Sequence, residues 1–152
     1  MMVPGTKVEP VEILLVEDNP VDVMLTKEAF SSGRVLNNLH VAEDGEEAME
    51  FLHKRGKFSS APSPAIILLD LNLPRKDGRE VLAEIKADPL LQHIPVIILT
   101  TSESEEDVRR SYELRANCFV TKPVDMEQFT KAIECIGDFW FTLVELPSPP
   151  NQ

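Results

Sequence analysis

The chain has 152 residues, of which 43% are hydrophobic, enough for one well-filled domain but too few for two ordinary ones. Asp and Glu outnumber Lys and Arg 26 to 15, giving a formal net charge of −11, and this argues against a nucleic-acid partner because phosphate backbones are bound by surplus Lys and Arg. The sequence contains neither an apolar stretch of membrane-spanning length nor a secretory leader pattern. We therefore expect a cytoplasmic protein without a membrane partner.

The chain divides into three predicted segments. Residues 1–10 are expected to be a flexible N-terminal segment, residues 11–146 one folded domain, and residues 147–152 a flexible tail with three prolines. Cys118 and Cys135 are too few for a disulfide framework and have no metal-ligand spacing, so we interpret them as buried thiols.

Five short apolar runs predict five strands. Three of them are unbroken and rich in β-branched residues, as expected for central parallel strands covered on both faces, while the second and fifth are shorter and more mixed, as is typical of sheet edges. In chain order the predicted strands are Ile13 to Val16, Leu39 to Ala42, Ile66 to Leu69, Val96 to Leu99 and Cys118 to Val120.

Segments with helical periodicity alternate with these strands. Asn19 before Pro20 places a capping side chain ahead of a proline at the first helical position, and Asp44 with Glu47 has the form of a capping box. The predicted helices are Pro20 to Ser32, Gly45 to Arg55, Gly78 to Ala87, Glu103 to Arg115 and Asp125 to Phe141. The alternation predicts a doubly wound α/β fold.

Polar side chains follow the ends of four predicted strands. Glu17 and Asp18 follow the first strand, Asp70 the third, Thr100 the fourth and Lys122 the fifth. In an open α/β sheet the ligand crevice lies beyond the carboxyl ends of the strands. We therefore expect three carboxylates, a hydroxyl and an ammonium group to converge there.

Converging carboxylates repel one another by roughly a kcal/mol or more per close pair, so the crevice needs added positive charge. Oxygen ligands without His or Cys favour a small divalent cation, and a few carboxylates completed by water fit Mg²⁺ better than a calcium cage. The alternative, a solvated acidic rim, is disfavoured because random acids would not fall at the ends of both central strands. Beside the cation, Asp70 is suited to be a phosphoryl-accepting nucleophile, with Thr100 and Lys122 facing the other phosphoryl oxygens.

Two enzyme classes use similar strand-end residues. A flavodoxin-type FMN protein needs a phosphate-cradling loop after the first strand, but Glu17 and Asp18 would repel the FMN phosphate. A phosphatase of the haloacid-dehalogenase type needs a second Asp two residues after the nucleophile as general acid, and that position is Asn72. Slow turnover and a persistent phosphoryl state are expected, as a switch requires.

Four segments that contain these residues resemble the response-regulator receiver family of two-component signalling. They are ILLVEDNP at 13–20, LLDLNLPRKDG at 68–78, ILTTS at 98–102 and CFVTKP at 118–123, within a match that runs from Val11 to about Phe141. The resemblance implies a flavodoxin-like (CheY-like) fold with three α/β/α layers, five helices and a five-stranded parallel sheet in the order 2-1-3-4-5.

The resemblance also implies a role for each residue of the site. Asp70 would be the phosphoacceptor and a metal ligand, Asp18 would contact Mg²⁺ directly and Glu17 through water, with Mn²⁺ or another divalent cation as a substitute. Asn72 would give its backbone carbonyl to the metal, and Lys122 would contact the phosphoryl group. Thr100 would be the switch hydroxyl and Phe119 the switch aromatic, for which a plain core phenylalanine is the alternative.

Three longer pieces are similar to the small receivers paired with cyanobacterial phytochrome histidine kinases. They are GREVLAEIKADPLLQHIPVIILTTSESEEDV, SYELRANCFVTKPVD and IGDFWFTLVELP. The implied partner is a sensor histidine kinase, possibly of the phytochrome type, followed by a histidine phosphotransfer protein or another downstream protein.

Only about ten residues follow Phe141, well short of the roughly 50 residues of a minimal output domain. We therefore expect a receiver that stands alone, is not a conventional enzyme and acts by docking to other proteins. The rival hypothesis is a docking module that keeps the fold but is never phosphorylated.

An apolar seam on the last helix and the aromatic residues after it predict a homodimer through the last strand and last helix. The seam comprises Met126, Phe129, Ile133, Ile136 and Trp140.

Overall fold

The structure is a computed structural model that describes residues 10–31, 36–100, 118–122, 125, 127–129 and 131. Within these residues strands and helices alternate along the chain. The strands are β1 (Val11–Val16), β2 (Asn37–Ala42), β3 (Ile66–Asp70), β4 (Val96–Thr100) and β5 (Cys118–Thr121). The helices with defined bounds are α1 (Pro20–Ser31), α2 (Gly45–Leu52) and α3 (Gly78–Ala87).

The five strands form one parallel sheet in the order β2-β1-β3-β4-β5. This is the order that the resemblance implied, and the apolar runs that predicted the three central strands are β1, β3 and β4. In the register of β1 on β3, Val16 lies opposite Leu69, and in that of β3 on β4, Asp70 lies opposite Leu99. The carboxyl ends of all five strands therefore lie along the same edge of the sheet.

Alternate residues of the central strands enter two separate apolar cores. On β1, Leu14 and Val16 pack with the side chains of α2 and α3, whereas Ile13 and Leu15 pack on the opposite face with Phe30 of α1. This period of two is the property of an extended chain that makes both faces of an inner parallel strand apolar. Both faces of β1 and β3 are therefore apolar, and the polar groups of these two strands lie toward their ends.

Side-chain caps start two of the helices, as predicted. Asn19 Oδ1 accepts hydrogen bonds from the backbone N–H of Val21 at 2.9 Å and of Asp22 at 3.2 Å. At α2, Asp44 Oδ1 accepts from the N–H of Glu47 at 2.8 Å, and the Glu47 carboxylate accepts in return from the residue before Asp44 at 3.2 Å. These caps satisfy N–H groups that have no partner within the helix.

Helix α2 ends at Leu52, so the predicted end at Arg55 was wrong. Lys54 adopts a left-handed conformation with φ of 55°, and the N–H of Arg55 returns to the carbonyl of Glu50 at 2.9 Å, which closes the helix. The connection from α2 to β3 contains a 3-10 turn at Gly56–Phe58. Phe58 packs edge-on against Phe51 with 5.4 Å between ring centroids, and this contact anchors the connection to the core.

The predicted helix at 103–115 lies outside the described residues, as do most of the helix predicted at 125–141 and the tail after it. Residues 127–129 and 131 are helical. Phe129 is buried and meets Phe30 edge-on at 4.7 Å between ring centroids, so this helical segment lies on the same face of the sheet as α1.

Gly78, the first residue of α3, lies so close to the end of β3 that a side chain does not fit. A Cβ at this position would lie 2.2 Å from the carbonyl oxygen of Asp70 and 2.6 Å from Cα of Leu71.

We expect Gly78→Ala to lower the free energy of unfolding by about 2–3 kcal/mol, because the backbone of the β3 end or of α3 would have to move. Urea unfolding measures this, with Gly56→Ala as the matched control. A Cβ on Gly56 would make only an ordinary contact, 3.9 Å from Glu50 Oε2, but the residue has a φ of +55°. The control is therefore expected to lose about 1 kcal/mol, and equal losses would contradict the steric account.

Candidate functional site

The carboxyl ends of β1 and β3 bring three carboxylates together. Glu17 and Asp18 directly follow β1, and Asp70 is the last residue of the neighbouring β3. One carboxylate oxygen from each of the three lies within 4.8 Å of the others. Glu17 and Asp70 are buried, with 1% and 4% of their surface exposed, whereas Asp18 is exposed. This grouping of the three acids was predicted from the strand ends.

The three acids fit a hard divalent cation. They offer only oxygen, at spacings from which one ion can be shared, and the exposed side at Asp18 leaves room for the water molecules that Mg²⁺ and Mn²⁺ retain. Such a cation would be held by Asp18, Asp70 and Glu17 and would neutralise part of their combined charge. In the described part of the chain this is the one cluster of three or more acidic, His or Cys side chains with that geometry.

Lys122, which follows β5, reaches the same crevice. Its Nζ donates a hydrogen bond to Asp70 Oδ2 at 3.0 Å and contacts Glu17 Oε1. A third carboxylate, Asp22 Oδ2, lies 3.3 Å from Nζ. The Lys122 side chain is only 9% exposed, so its charge acts on these acids with little screening by water.

The buried groups of the crevice have displaced pKa values. Burial raises the pKa of the Glu17 carboxyl to about 7, although hydrogen bonds from Lys122 and from the N–H of Asn19 oppose this rise. Burial by itself would lower the pKa of the Lys122 ammonium, but its hydrogen bonds to Glu17 and Asp70 outweigh burial, and the pKa is raised. Lys122 is therefore a permanent positive charge beside Asp70 at any physiological pH.

Asn72 lies on the loop that leaves Asp70. Its side chain is exposed, and its backbone N–H donates to Asp70 Oδ1 at 3.1 Å. The two oxygens of the Asp70 carboxylate are thus held from different sides, Oδ1 by this N–H and Oδ2 by Lys122. The loop then returns to the strand, because the N–H of Gly78 donates to the carbonyl of Leu71 at 3.0 Å.

The two predicted switch residues lie on the neighbouring strands β4 and β5. Thr100 is the last residue of β4 and its backbone pairs in register with Thr121 of β5; its side chain lies outside what the structure describes. Phe119 of β5 is half-buried and packs against the core on the side of α2 and α3. The roles of the two residues remain predictions.

A cleft of about 330 Å³ opens beside the carboxylates, between α1, the end of β2 and α2. It gives solvent and small molecules access to the exposed side of the acid cluster. Its lining combines apolar, acidic and basic side chains, namely Glu17, Asp18, Pro20, Val23, Lys27, Val41, Glu43, Glu47 and Lys57.

Comparison with known proteins agrees with this geometry. The family model of the response regulator receiver domain matches residues 13–134. The chain belongs to this family. It is 48% identical over 139 residues to the response regulator Rcp1 of Synechocystis sp., and the match covers 91% of this chain and 95% of Rcp1.

Solved structures of other receivers resemble this one. The bacteriophytochrome response regulator AtBRR is 49% identical with a TM-score of 0.80, covering 88% of this chain and 96% of AtBRR. The phosphorylated cyanobacterial phytochrome response regulator RcpA is 46% identical with a TM-score of 0.74, covering 92% of this chain and 100% of RcpA. Rcp1 has been solved in an Mn²⁺-bound form, which is 47% identical with a TM-score of 0.73, covering 91% of this chain and 100% of that chain.

The receiver has one feature at its site that the sequence interpretation missed, the contact of Asp22 with Lys122. Side chains in the first turn of a helix point back toward its N-terminus, and α1 begins two residues before Asp22. An acid at the third position of a helix that starts at the crevice was the available signal. Among the described residues of this receiver, no helix has the length and apolar character needed to cross a membrane.

We expect Mg²⁺ to stabilise the receiver. At a free Mg²⁺ concentration ten times the dissociation constant, the free energy of unfolding should rise by about 1.4 kcal/mol, because the folded crevice binds the ion and the unfolded chain does not. Thermal unfolding with and without Mg²⁺, at ionic strength matched with NaCl, measures the difference.

Asp18→Asn is the informative variant for this measurement, because Asp18 is exposed and its loss leaves the core intact. The variant should lose most of the Mg²⁺ effect, and without divalent cations it should be at least as stable as the natural protein, since one repelling charge is gone. A Mg²⁺ response that is unchanged in Asp18→Asn would contradict a metal site at these carboxylates.

Proposed function

We propose that this receiver is a single-domain response regulator that accepts a phosphoryl group on Asp70 from a sensor histidine kinase, with Mg²⁺ bound beside it. The observation that carries the proposal is the placement of the Lys122 ammonium 3.0 Å from Asp70 Oδ2, at the edge of the three-carboxylate cluster. A buried carboxylate with a fixed cation on one side and a metal-binding group on the other is arranged to receive an anionic phosphoryl group.

In the transfer, an oxygen of the Asp70 carboxylate attacks the phosphorus of a phosphohistidine. The new acyl-phosphate P–O bond forms as the P–N bond breaks, and the imidazole leaves with the electron pair of that bond. Bound Mg²⁺ would supply charge neutralisation for the phosphoryl oxygens. Lys122 would then donate to a phosphoryl oxygen, and the N–H of Asn72 would keep the other side of the Asp70 carboxylate oriented.

The position two residues after Asp70 supports a switch rather than a phosphatase. Asn72 has an exposed amide that cannot donate a proton as a general acid. Hydrolysis of the acyl phosphate therefore lacks an acid catalyst there, and we infer a phosphorylated state that persists long enough to be read by a partner. The receiver would act as a phosphoacceptor and not as a conventional enzyme.

The signal would be passed on by rearrangement at β4 and β5. We propose that Thr100 moves toward the phosphoryl group and that Phe119, half-buried in the neighbouring strand two residues before the register partner of Thr100, turns inward as space is vacated. The changed surface would then dock to a downstream protein or pass the phosphoryl group to a histidine phosphotransfer protein.

The kinase partner is proposed to be of the phytochrome type. Support comes from the names of the relatives: AtBRR is a bacteriophytochrome response regulator and RcpA a cyanobacterial phytochrome response regulator, with 49% and 46% identity to this chain. The match covers 95% of the length of Rcp1, so Rcp1 itself consists of little besides a receiver.

Acetyl phosphate tests the acceptor directly. In the presence of Mg²⁺, we expect intact-mass analysis to show the addition of one phosphoryl group, because small acyl phosphates present the same phosphorus to the Asp70 nucleophile. Asp70→Asn should gain none, and removal of Mg²⁺ with a chelator should slow the gain strongly. If the natural protein gains no phosphoryl group, the rival reading of an unphosphorylated docking module is the correct one.

We also propose a homodimer through β5, the helix that follows it and the C-terminal aromatic residues. Apart from β5 and the start of that helix, these residues lie outside the described ranges. Truncation after Ile136 removes Trp140 and its aromatic neighbours, and sedimentation should then show weaker self-association than in the natural protein. A dimer of unchanged strength would contradict a role for these residues.

A further inference from the structure

The Lys122 ammonium is surrounded by more carboxylates than the phosphoryl chemistry requires. An ammonium group has three N–H donors, and among the residues that the structure describes three acids contact Nζ: Glu17, Asp70 at 3.0 Å and Asp22 at 3.3 Å. Glu17 and Asp70 belong to the acid cluster that fits a metal ion, whereas Asp22 does not. Asp22 is thus the one contact of Lys122, among the described acids, that a cation in that cluster would leave available.

Asp22 is held firmly in this place by its helix. Its backbone N–H donates to Asn19 Oδ1 at 3.2 Å, and its carbonyl accepts from the hydroxyl of Thr26, which is buried, at 2.8 Å. The side chain is one-quarter exposed, so its charge is only partly screened. The carboxylate therefore places a negative charge on the α1 side of Lys122, and it is not one of the three clustered acids.

We propose that Asp22 is a positioning residue that keeps the Lys122 ammonium beside Asp70 when a divalent cation occupies the carboxylates of Glu17, Asp18 and Asp70. The cation and the ammonium repel each other and compete for the same oxygens of Glu17 and Asp70. Asp22 lets the ammonium shift its hydrogen bonds by a small distance without leaving the crevice. This inference rests on the metal and phosphoryl site of the proposed function.

A simpler role for Asp22 is to stabilise the N-terminus of α1, where a negative charge interacts favourably with the helix dipole. Glu80 provides a matched control, because it is also the third residue of its helix, α3, and is exposed. It forms no ion pair with Lys122, whose carboxylate contacts within the described part of the chain are the three named above. Glu80→Gln removes a helix-terminal charge of the same kind without touching the crevice.

Magnesium affinity in a double-mutant cycle tests the inference. Asp22→Asn should weaken Mg²⁺ binding about fivefold, because the ammonium then competes more strongly for Glu17 and Asp70. Lys122→Met should tighten binding by removing that competition. In the Lys122→Met background, Asp22→Asn should change the Mg²⁺ affinity by less than about twofold, and Glu80→Gln should change it by less than about twofold in either background.

An equal effect of Asp22→Asn with and without Lys122 would overturn the inference, because Asp22 would then act only as a remote charge. No effect in either background would overturn it as well. If Lys122→Met does not fold, Lys122→Gln replaces it. A measurement on the natural protein needs no variant: with saturating Mg²⁺, nuclear Overhauser contacts between the Lys122 Hε and Asp22 Hβ protons should persist, and their loss would contradict the proposal.

The two proposals can fail separately. Mg²⁺ affinity and the Lys122 contacts are measured without any phosphoryl donor, so coupling between Asp22 and Lys122 in a protein that acetyl phosphate does not modify would contradict only the proposed function. Phosphorylation of Asp70 in a protein without that coupling would contradict only the role of Asp22.

Discussion

The receiver depends on one electrostatic constraint, the gathering of acidic side chains at the carboxyl edge of its sheet. Glu17 and Asp70 are almost fully buried, and burial of two carboxylates is unfavourable unless positive charge lies between them. Lys122 supplies one such charge, but three carboxylates are clustered in the crevice and one ammonium does not balance them. The remaining imbalance favours a divalent cation, which in the proposed function would allow the crevice to accept an anionic phosphoryl group.

The parallel sheet produces this gathering of acidic side chains. Because β1 and β3 are apolar on both faces, polar side chains can follow only at their ends, and the parallel register places both ends at the same edge. Close backbone contact at Gly78 fixes the loop that leaves Asp70, and the Asn19 cap starts α1 beside it. The stability of the core and the placement of the acidic side chains are therefore consequences of the same strand arrangement.

Much of this was predictable from the sequence, because the strand runs, the helix caps and the strand-end acids are local signals. Glu17, Asp18, Asp70 and Lys122 were expected to meet, and they do. The end of α2 was predicted wrongly because the left-handed residue that closes the helix is Lys54, whereas the usual sequence signal for such a residue is glycine. Asp22 was missed because its contact with Lys122 joins residues 100 positions apart and depends on the direction of a first-turn side chain, which the apolar pattern does not encode.

The central claim, that Asp70 itself carries the phosphoryl group, is tested most directly by locating the modified side chain. Borohydride reduces an acyl phosphate to an alcohol with release of phosphate, so a phosphorylated aspartate becomes homoserine. After treatment with acetyl phosphate, Mg²⁺ and borohydride, peptide mass spectrometry should place homoserine at position 70 and at no other aspartate. Homoserine at position 18 or 22, or none at position 70, would contradict the account.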